Sequence, residues 1–226
     1  MTINPHPPSL SAELIEYFRG LPPATIGRIV DEGFVDTDIR PIFKRVQVVG
    51  TAVTLKLPEG DSSLTQAAID QLQPGDVLVI DLGGQDQIAC WGEMTSLVAR
   101  VRGCVGVIVD GAVTDVVEIE AQAMPTFARA VAALVGRRVD ADGGGVNVAV
   151  QCGGVAVHPG DLVVADDNGI VVIPPQRVQD IGLAARAARD RAPYQRAWIE
   201  RGGSLADLEG EDAAAIHRML VERGWP

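Results

Sequence analysis

Histidine, cysteine and aromatic residues are all scarce in this chain, and each shortage excludes something. Only three histidines occur: His6 in a proline-rich opening, His158 before a Pro-Gly turn and His217 near the end. None stands in an HxH or HExxH pattern, so neither a histidine-rich metal site nor a Ser-His-Asp triad is expected. The three cysteines, Cys90, Cys104 and Cys152, form no CxxC pair, which argues against a zinc ribbon or a redox pair. There is no Walker phosphate loop and no G-x-S-x-G elbow. Aromatics make up 4% of the chain, so Val, Ala, Leu and Ile must fill the interior. No apolar run reaches about 18 residues, so no membrane span is expected. The opening MTINPHPPSL lacks the basic and apolar regions of a signal peptide, and a reducing cytoplasm is the expected setting.

Positive charge is also short. The formal net charge is −11, and no run of Lys and Arg offsets it. A phosphate backbone attracts basic patches, so a nucleic-acid partner is not expected. The acidity permits a basic protein partner and equally serves plain solubility. With 226 residues, 47% of them hydrophobic, a sizeable core forms without disulfide or structural metal.

What is present is a β-rich, valine-heavy pattern. Apolar runs at 46–57, 76–82, 104–111, 146–157 and 161–174 read as strands bounded by Gly, Pro and Asp turns. Before them, SLSAELIEYFRGLPPATIGRIVDEG reads as two helices broken at Pro22-Pro23, with Ser9 or Ser11 as cap. Stretches 63–73 and 90–103 read as helices between strands. A long Ala/Arg/Asp segment from Gln176 to Gly202 reads as an amphipathic helix, and a further helix closes the chain. The expected fold class is α/β: one domain over 1–175 that includes the N-terminal helices, then a helical C-terminal arm over 176–226. Arg196, Glu200 and Arg201 of the arm are placed to reach a neighbouring subunit.

The candidate chemistry is a constellation of glycines and acids. LGGQDQIACWGEMTSLVA (82–99) sets a strand end, a Gly-Gly loop and then Gly92-Glu93 at a helix start, where free N–H groups attract carboxylates. About twenty residues later GVIVDGAVTD ends the next strand with Asp110 and Asp115. Both loops fall at strand C-termini, where open α/β sheets place small ligands. The structural alternative is that Gly83-Gly84 is only a turn, Glu93 a solvated helix residue and Asp110 a turn former.

The stretch LGGQDQIACWGEMTSLVARVRGCVGVIVDGAVTD resembles the signature of the class II pyruvate aldolases, a group that also contains the regulator of ribonuclease activity A. IRPIFKRVQVVGTAVTLKL and GDLVVADDNGIVVIP extend the resemblance over residues 24 to 175. The resemblance implies a swivelling β/β/α domain and a homotrimer or a dimer of trimers, with active sites between subunits. It also implies a magnesium or manganese ion and a small 2-oxo acid substrate cleaved to pyruvate. Carried over by position, the amides of Gly92, Glu93, Met94 and Thr95 hold the pyruvate carboxylate. Asp115 is the metal-binding carboxylate, and Glu93 lies close to the metal's waters.

One position departs from the pattern. The family loop reads Asp-Gly-x-x-Arg-Asp, with the arginine binding the keto acid beside the metal; here Thr114 stands there, taking the arginine's place in substrate binding and catalysis. In the family scheme metal and arginine together neutralise the charge of the forming enolate. Losing one such stabiliser costs about 2.7–4 kcal/mol, or 10²–10³ in rate. Arg129, in PTFARAVAAL, follows a strand-like stretch and is the candidate substitute cation; its alternative is a surface arginine. Arg100 and Arg102 lie too far along the helix.

Two functions are therefore expected to compete. One is a divalent-metal-dependent lyase working by aldol cleavage or oxaloacetate-type decarboxylation. The other is a non-catalytic regulator that binds a protein partner such as a ribonuclease. Intact metal and carboxylate elements favour the lyase, and Thr114 favours the binder.

Overall fold

The computed structural model describes residues 1–225. The fully apolar runs become central strands. In β3 (Gln47–Lys56), β4 (Asp76–Asp81), β6 (Gly106–Val113) and β7 (Thr126–Val131), neighbours pair in parallel in the order β3-β4-β6-β7. Every residue of β4 and β6 is buried, as expected for parallel strands covered on both faces.

Alternation along these strands divides two layers. Leu78, Ile80, Val107 and Val109 face a helical layer of α3 (Thr65–Gln71), α4 (Glu93–Val101) and α5 (Val116–Ala121). Val77, Val79 and Ile108 face the opposite way, onto a second β layer. That layer holds the hairpin β10 (Val150–Cys152) and β11 (Val155–Val157), and the hairpin β12 (Leu162–Asp166) and β13 (Gly169–Ile173). Strand β3 curves between them, pairing with β4 at one end and antiparallel with β12 at the other. The result is the expected α/β fold with β/β/α layering.

Short strands complete the edges. These are β1 (Thr2–Ile3) on β9 (Gly145–Val146), β2 (Arg40–Pro41) on β7, and β5 (Ile88–Trp91) between β6 and β8 (Leu134–Val135). Helices α1 (Ala12–Phe18), α2 (Pro23–Ile26) and the first half of α6 (Pro175–Glu200) cover β12 and β13 through Phe18, Leu21, Ile26, Val178 and Ile181. The far half of α6 and α7 (Ala213–Glu222) make a separate small cluster around Trp198, Leu208, Ile216 and Leu220.

Three sequence expectations are corrected. The run 161–174, read as a strand, folds into the hairpin of β12 and β13, turning at Asp167-Asn168. The helix expected over 90–103 starts only at Glu93, because Ala89 and Trp91 pair with β6 and Gly92 breaks the strand. The strand expected over 146–157 is split, because Asn147 turns with φ +52° and 150–157 folds back as a hairpin.

Candidate active site

The end of β6 and the start of α4 meet at one point. Thr114 N–H donates to the Trp91 carbonyl at 2.9 Å, which holds the strand end against β5. Asp115 then turns with φ 54° and ψ 42°, a left-handed conformation that aspartate tolerates better than most residues. It sits at the N-terminus of α5 yet does not cap it. Its carboxylate instead accepts the Glu93 N–H of α4 at 2.9 Å, and its other oxygen accepts the Thr114 hydroxyl at 3.2 Å.

Gly92 makes this approach possible. A Cβ there would lie 2.4 Å from Asp115 Oδ2 and 2.9 Å from Thr114 Cγ2. Gly92 N–H is taken by Thr95 Oγ1 at 3.0 Å. The amides of Met94 and Thr95, in the first turn of α4, have no partner among the described residues. Two free N–H groups at the positive end of a nine-residue helix thus stand beside one carboxylate. Glu93 is half-buried in the same turn.

These groups line a cavity of about 410 Å³. The structure brings Gly92, Glu93, Met94, Thr95, Thr114 and Asp115 together in its wall. It does not bring Arg129 there. Arg129 lies on β7, which pairs with the side of β6 away from β5. Its guanidinium binds Asp110, buried below it, and reaches Asp36 at 3.3 Å. The Asp110 bond raises the guanidinium pKa further. Asp110 also accepts the Gly153 N–H at 2.6 Å, so this pair ties the sheet to the β10–β11 hairpin.

A different arginine reaches the cavity: Arg138, beyond β8. It has no hydrogen-bond or ion-pair partner among the described residues. Its loop is fixed by Asp61, which is 2% exposed. Asp61 accepts the N–H groups of Ser63, Val139 and Ala141 and the Ser63 hydroxyl. Burial pushes its carboxyl up, but these four donors outweigh burial and bring the pKa down to about 2. The segment LVGRRVDADGG shows no periodicity, so only its Arg-Arg pair in a cation-poor chain hinted at this role.

Among the described residues no three His, Cys, Asp or Glu side chains gather around one point. Cys90 lines the cavity, and burial pushes its thiol up to about 12, so it stays a neutral thiol in the free protein. At the α4 end the side-chain donors include the hard oxygens of Asp115, Glu93 and Thr114. That set fits a magnesium-class ion, which keeps several waters and binds through one or two carboxylates plus its substrate.

Comparisons with known proteins give the family and the fold. A family profile described as RraA-like, Aldolase/RraA, matches residues 27–172. A protein of Halalkalibacterium halodurans named "Putative 4-hydroxy-4-methyl-2-oxoglutarate aldolase" is 33% identical over 202 residues, covering 84% of this chain and 95% of the relative. The crystal structure of Streptomyces coelicolor RraAS2, described as an unusual member of the RNase ES inhibitor RraA protein family, superposes with a TM-score of 0.72. It is 26% identical and covers 84% of this chain and 98% of its own. An uncharacterized protein from Pseudomonas syringae shares the fold, with a TM-score of 0.77 at 24% identity over 90% of this chain and 98% of its own.

Proposed function

This chain belongs to the RraA-like, Aldolase/RraA family, and on that premise we propose that it is a divalent-metal-dependent lyase. It breaks a carbon–carbon bond in a small 2-oxo acid, by aldol cleavage or decarboxylation, and releases pyruvate. The observation that carries this is the Asp115 carboxylate standing beside the free Met94 and Thr95 amides in one cavity wall. A protein-binding surface alone has no need of that pairing.

The free amides grip the substrate carboxylate and so fix where its 2-oxo carbon lies. Asp115 and, through water, Glu93 would hold a magnesium or manganese ion. When bound, such an ion supplies Lewis-acid polarisation of the 2-oxo group. Thr114 offers a hydroxyl where a fixed cation would give stronger stabilisation of negative charge. Decarboxylation forms the same enolate but needs no proton acceptor for an alcohol, so it asks less of the site's remaining groups. The exposed apolar side chains Leu134 and Val135 on β8, the latter in the cavity wall, support assembly with further copies of the chain, a homotrimer in the family scheme.

The test is pyruvate release from oxaloacetate and from 4-hydroxy-4-methyl-2-oxoglutarate with magnesium, read through lactate dehydrogenase. Activity that falls on chelation and on Asp115→Ala is expected. No turnover, or turnover that Asp115→Ala leaves intact, overturns the proposal. Thr114 also favours a second function, regulation by binding a basic protein partner. A ribonuclease E-type scaffold captured equally by wild type and Asp115→Ala, without lyase activity, would establish it.

A further inference from the structure

The geometry points to Arg138 as the residue that selects the substrate, by binding the distal carboxylate of a 2-oxo dicarboxylic acid. This rests on the 2-oxo acid site proposed above.

The first support is charge. Glu93 and Asp115 make the α4 side of the cavity acidic, and Thr114 adds no cation. Arg138 is the one basic side chain in the wall, and its guanidinium is unpaired among the described residues. A forked, permanently charged donor suits a carboxylate.

The second is distance. Strand β5 pairs with β6 on one side, Ala89 opposite Ala112, and with β8 on the other, Ala89 opposite Val135. Ala112 and Val135 are therefore level and two strand spacings apart, about 9–10 Å. Thr114 and Asp115 follow Ala112 by two and three residues, and Arg138 follows Val135 by three. Arg138 thus rises from the side of β5 opposite the metal carboxylate. It is placed for the far end of a four- to six-carbon diacid rather than for the 2-oxo group.

The third is preorganisation. Arg137 N–H donates to the Gly60 carbonyl at 2.9 Å, and Ser62 N–H to the Arg137 carbonyl at 2.9 Å. Val139 N–H is held by Asp61 at 3.2 Å. The backbone on both sides of Arg138 is fixed while its guanidinium stays free, so little loop entropy is lost on binding.

The fourth is an unmet hydroxyl. Thr65 is 5% exposed and its Oγ1 has no partner among the described residues, yet it lines this cavity. Its N–H bonds the Ser62 carbonyl, which places it at the Arg138 end. A buried hydroxyl without a partner is costly, and a ligand carboxylate would satisfy it.

The test is calorimetric binding of 2-oxoglutarate and of 2-oxopentanoate, which carries a methyl group in place of the far carboxylate. Both are titrated with magnesium into the full wild-type chain, Arg138→Ala and Asp115→Ala. Wild type should bind the diacid about 10–100-fold more tightly, as charged hydrogen bonds provide. Arg138→Ala should erase that preference and leave 2-oxopentanoate binding unchanged. Asp115→Ala should weaken both acids alike and keep the preference. Equal wild-type affinities, or a preference that survives Arg138→Ala, overturn the role of Arg138 and leave the 2-oxo acid site standing. Wild type binding neither acid removes the site itself, and the assignment with it.

Discussion

The main-chain N–H of Glu93 donates to Asp115 Oδ2 at 2.9 Å, through space that a side chain at residue 92 would fill. With the Thr114 N–H bond to the Trp91 carbonyl, that bond joins the two halves of the site, the helix start and the strand end. They lie twenty-two residues apart in the chain, and Gly92 sets how closely they approach.

Gly92→Ala therefore separates fit from fold. The new Cβ would stand 2.4 Å from a carboxylate oxygen on an exposed side chain. That side chain can swing away, so the stability loss should stay near the low end of the usual overpacking cost, about 1 kcal/mol. The residue's φ of −159° is extended and costs alanine nothing. Activity and magnesium activation should fall by about 10²-fold, because misplacement of a reacting group by an ångström costs that much. Thermal melts and magnesium titrations of the rate check both halves. A large drop in melting temperature with unchanged magnesium response would contradict the assignment of Asp115.

Thr114→Arg restores the cation that the family loop carries. Thr114 is half-buried at the cavity wall and only its hydroxyl contacts Asp115, at 3.2 Å, so the longer side chain has an open route into the cavity. Aldol cleavage should rise by about 10²–10³-fold, the usual worth of one such stabiliser. Oxaloacetate decarboxylation passes through the same pyruvate enolate and should rise by a comparable factor. Parallel kcat measurements on an aldol substrate and on oxaloacetate test this. No gain in either reaction would show that Thr114 is not where the missing charge matters.

Arg129→Ala should damage the fold and spare the chemistry. Its loss leaves Asp110 buried and unpaired, and breaking one side of a buried ion pair typically costs about 3–5 kcal/mol. Denaturant unfolding should show that loss. Assays at a temperature where the variant stays folded should show kcat within about 2-fold of wild type, since no term of the reaction is assigned to it. A 100-fold drop in kcat in the folded variant would return Arg129 to the catalytic set.

Much of this was legible in the chain itself. The apolar cores VLVI and GVIV read as strands because nothing polar interrupts them, whereas Asp110, read as lying in the loop beyond, sits inside β6. The Gly92 turn and Asp115 were legible because helix starts and strand ends carry local punctuation. Cys90 and Trp91 were misread as helix because their strand character comes from pairing with β6, which no local pattern records. Arg129 was misassigned for a related reason. Sequence gives its distance from β6 along the chain, but not that β7 pairs on the side away from β5. Arg138 was missed because its place depends on Asp61, more than seventy residues earlier, and on a loop with no periodicity.

Asp61 makes that loop sensitive to acid in a definite direction. Its folded pKa of about 2 lies below the ordinary aspartate value of about 3.9. A depressed carboxylate stabilises the fold above its unfolded pKa, and the contribution is lost as pH falls toward the folded one. The stability difference between wild type and Asp61→Asn should therefore be full at pH 5 and shrink between about pH 4 and pH 2. Local opening should follow the same window. The amides of Val139 and Ala141, which donate to Asp61 at 3.2 and 2.9 Å, should lose hydrogen-exchange protection there in wild type. In Asp61→Asn they should already exchange faster at pH 5, because the amide side chain cannot accept all four donors as a carboxylate does. The Arg138-dependent preference for a diacid should weaken with them, since Asp61 acts by positioning the loop and not by touching the ligand. Protection and diacid preference that stay constant in Asp61→Asn would mean the loop is held by its main-chain bonds to Gly60 and Ser62 alone.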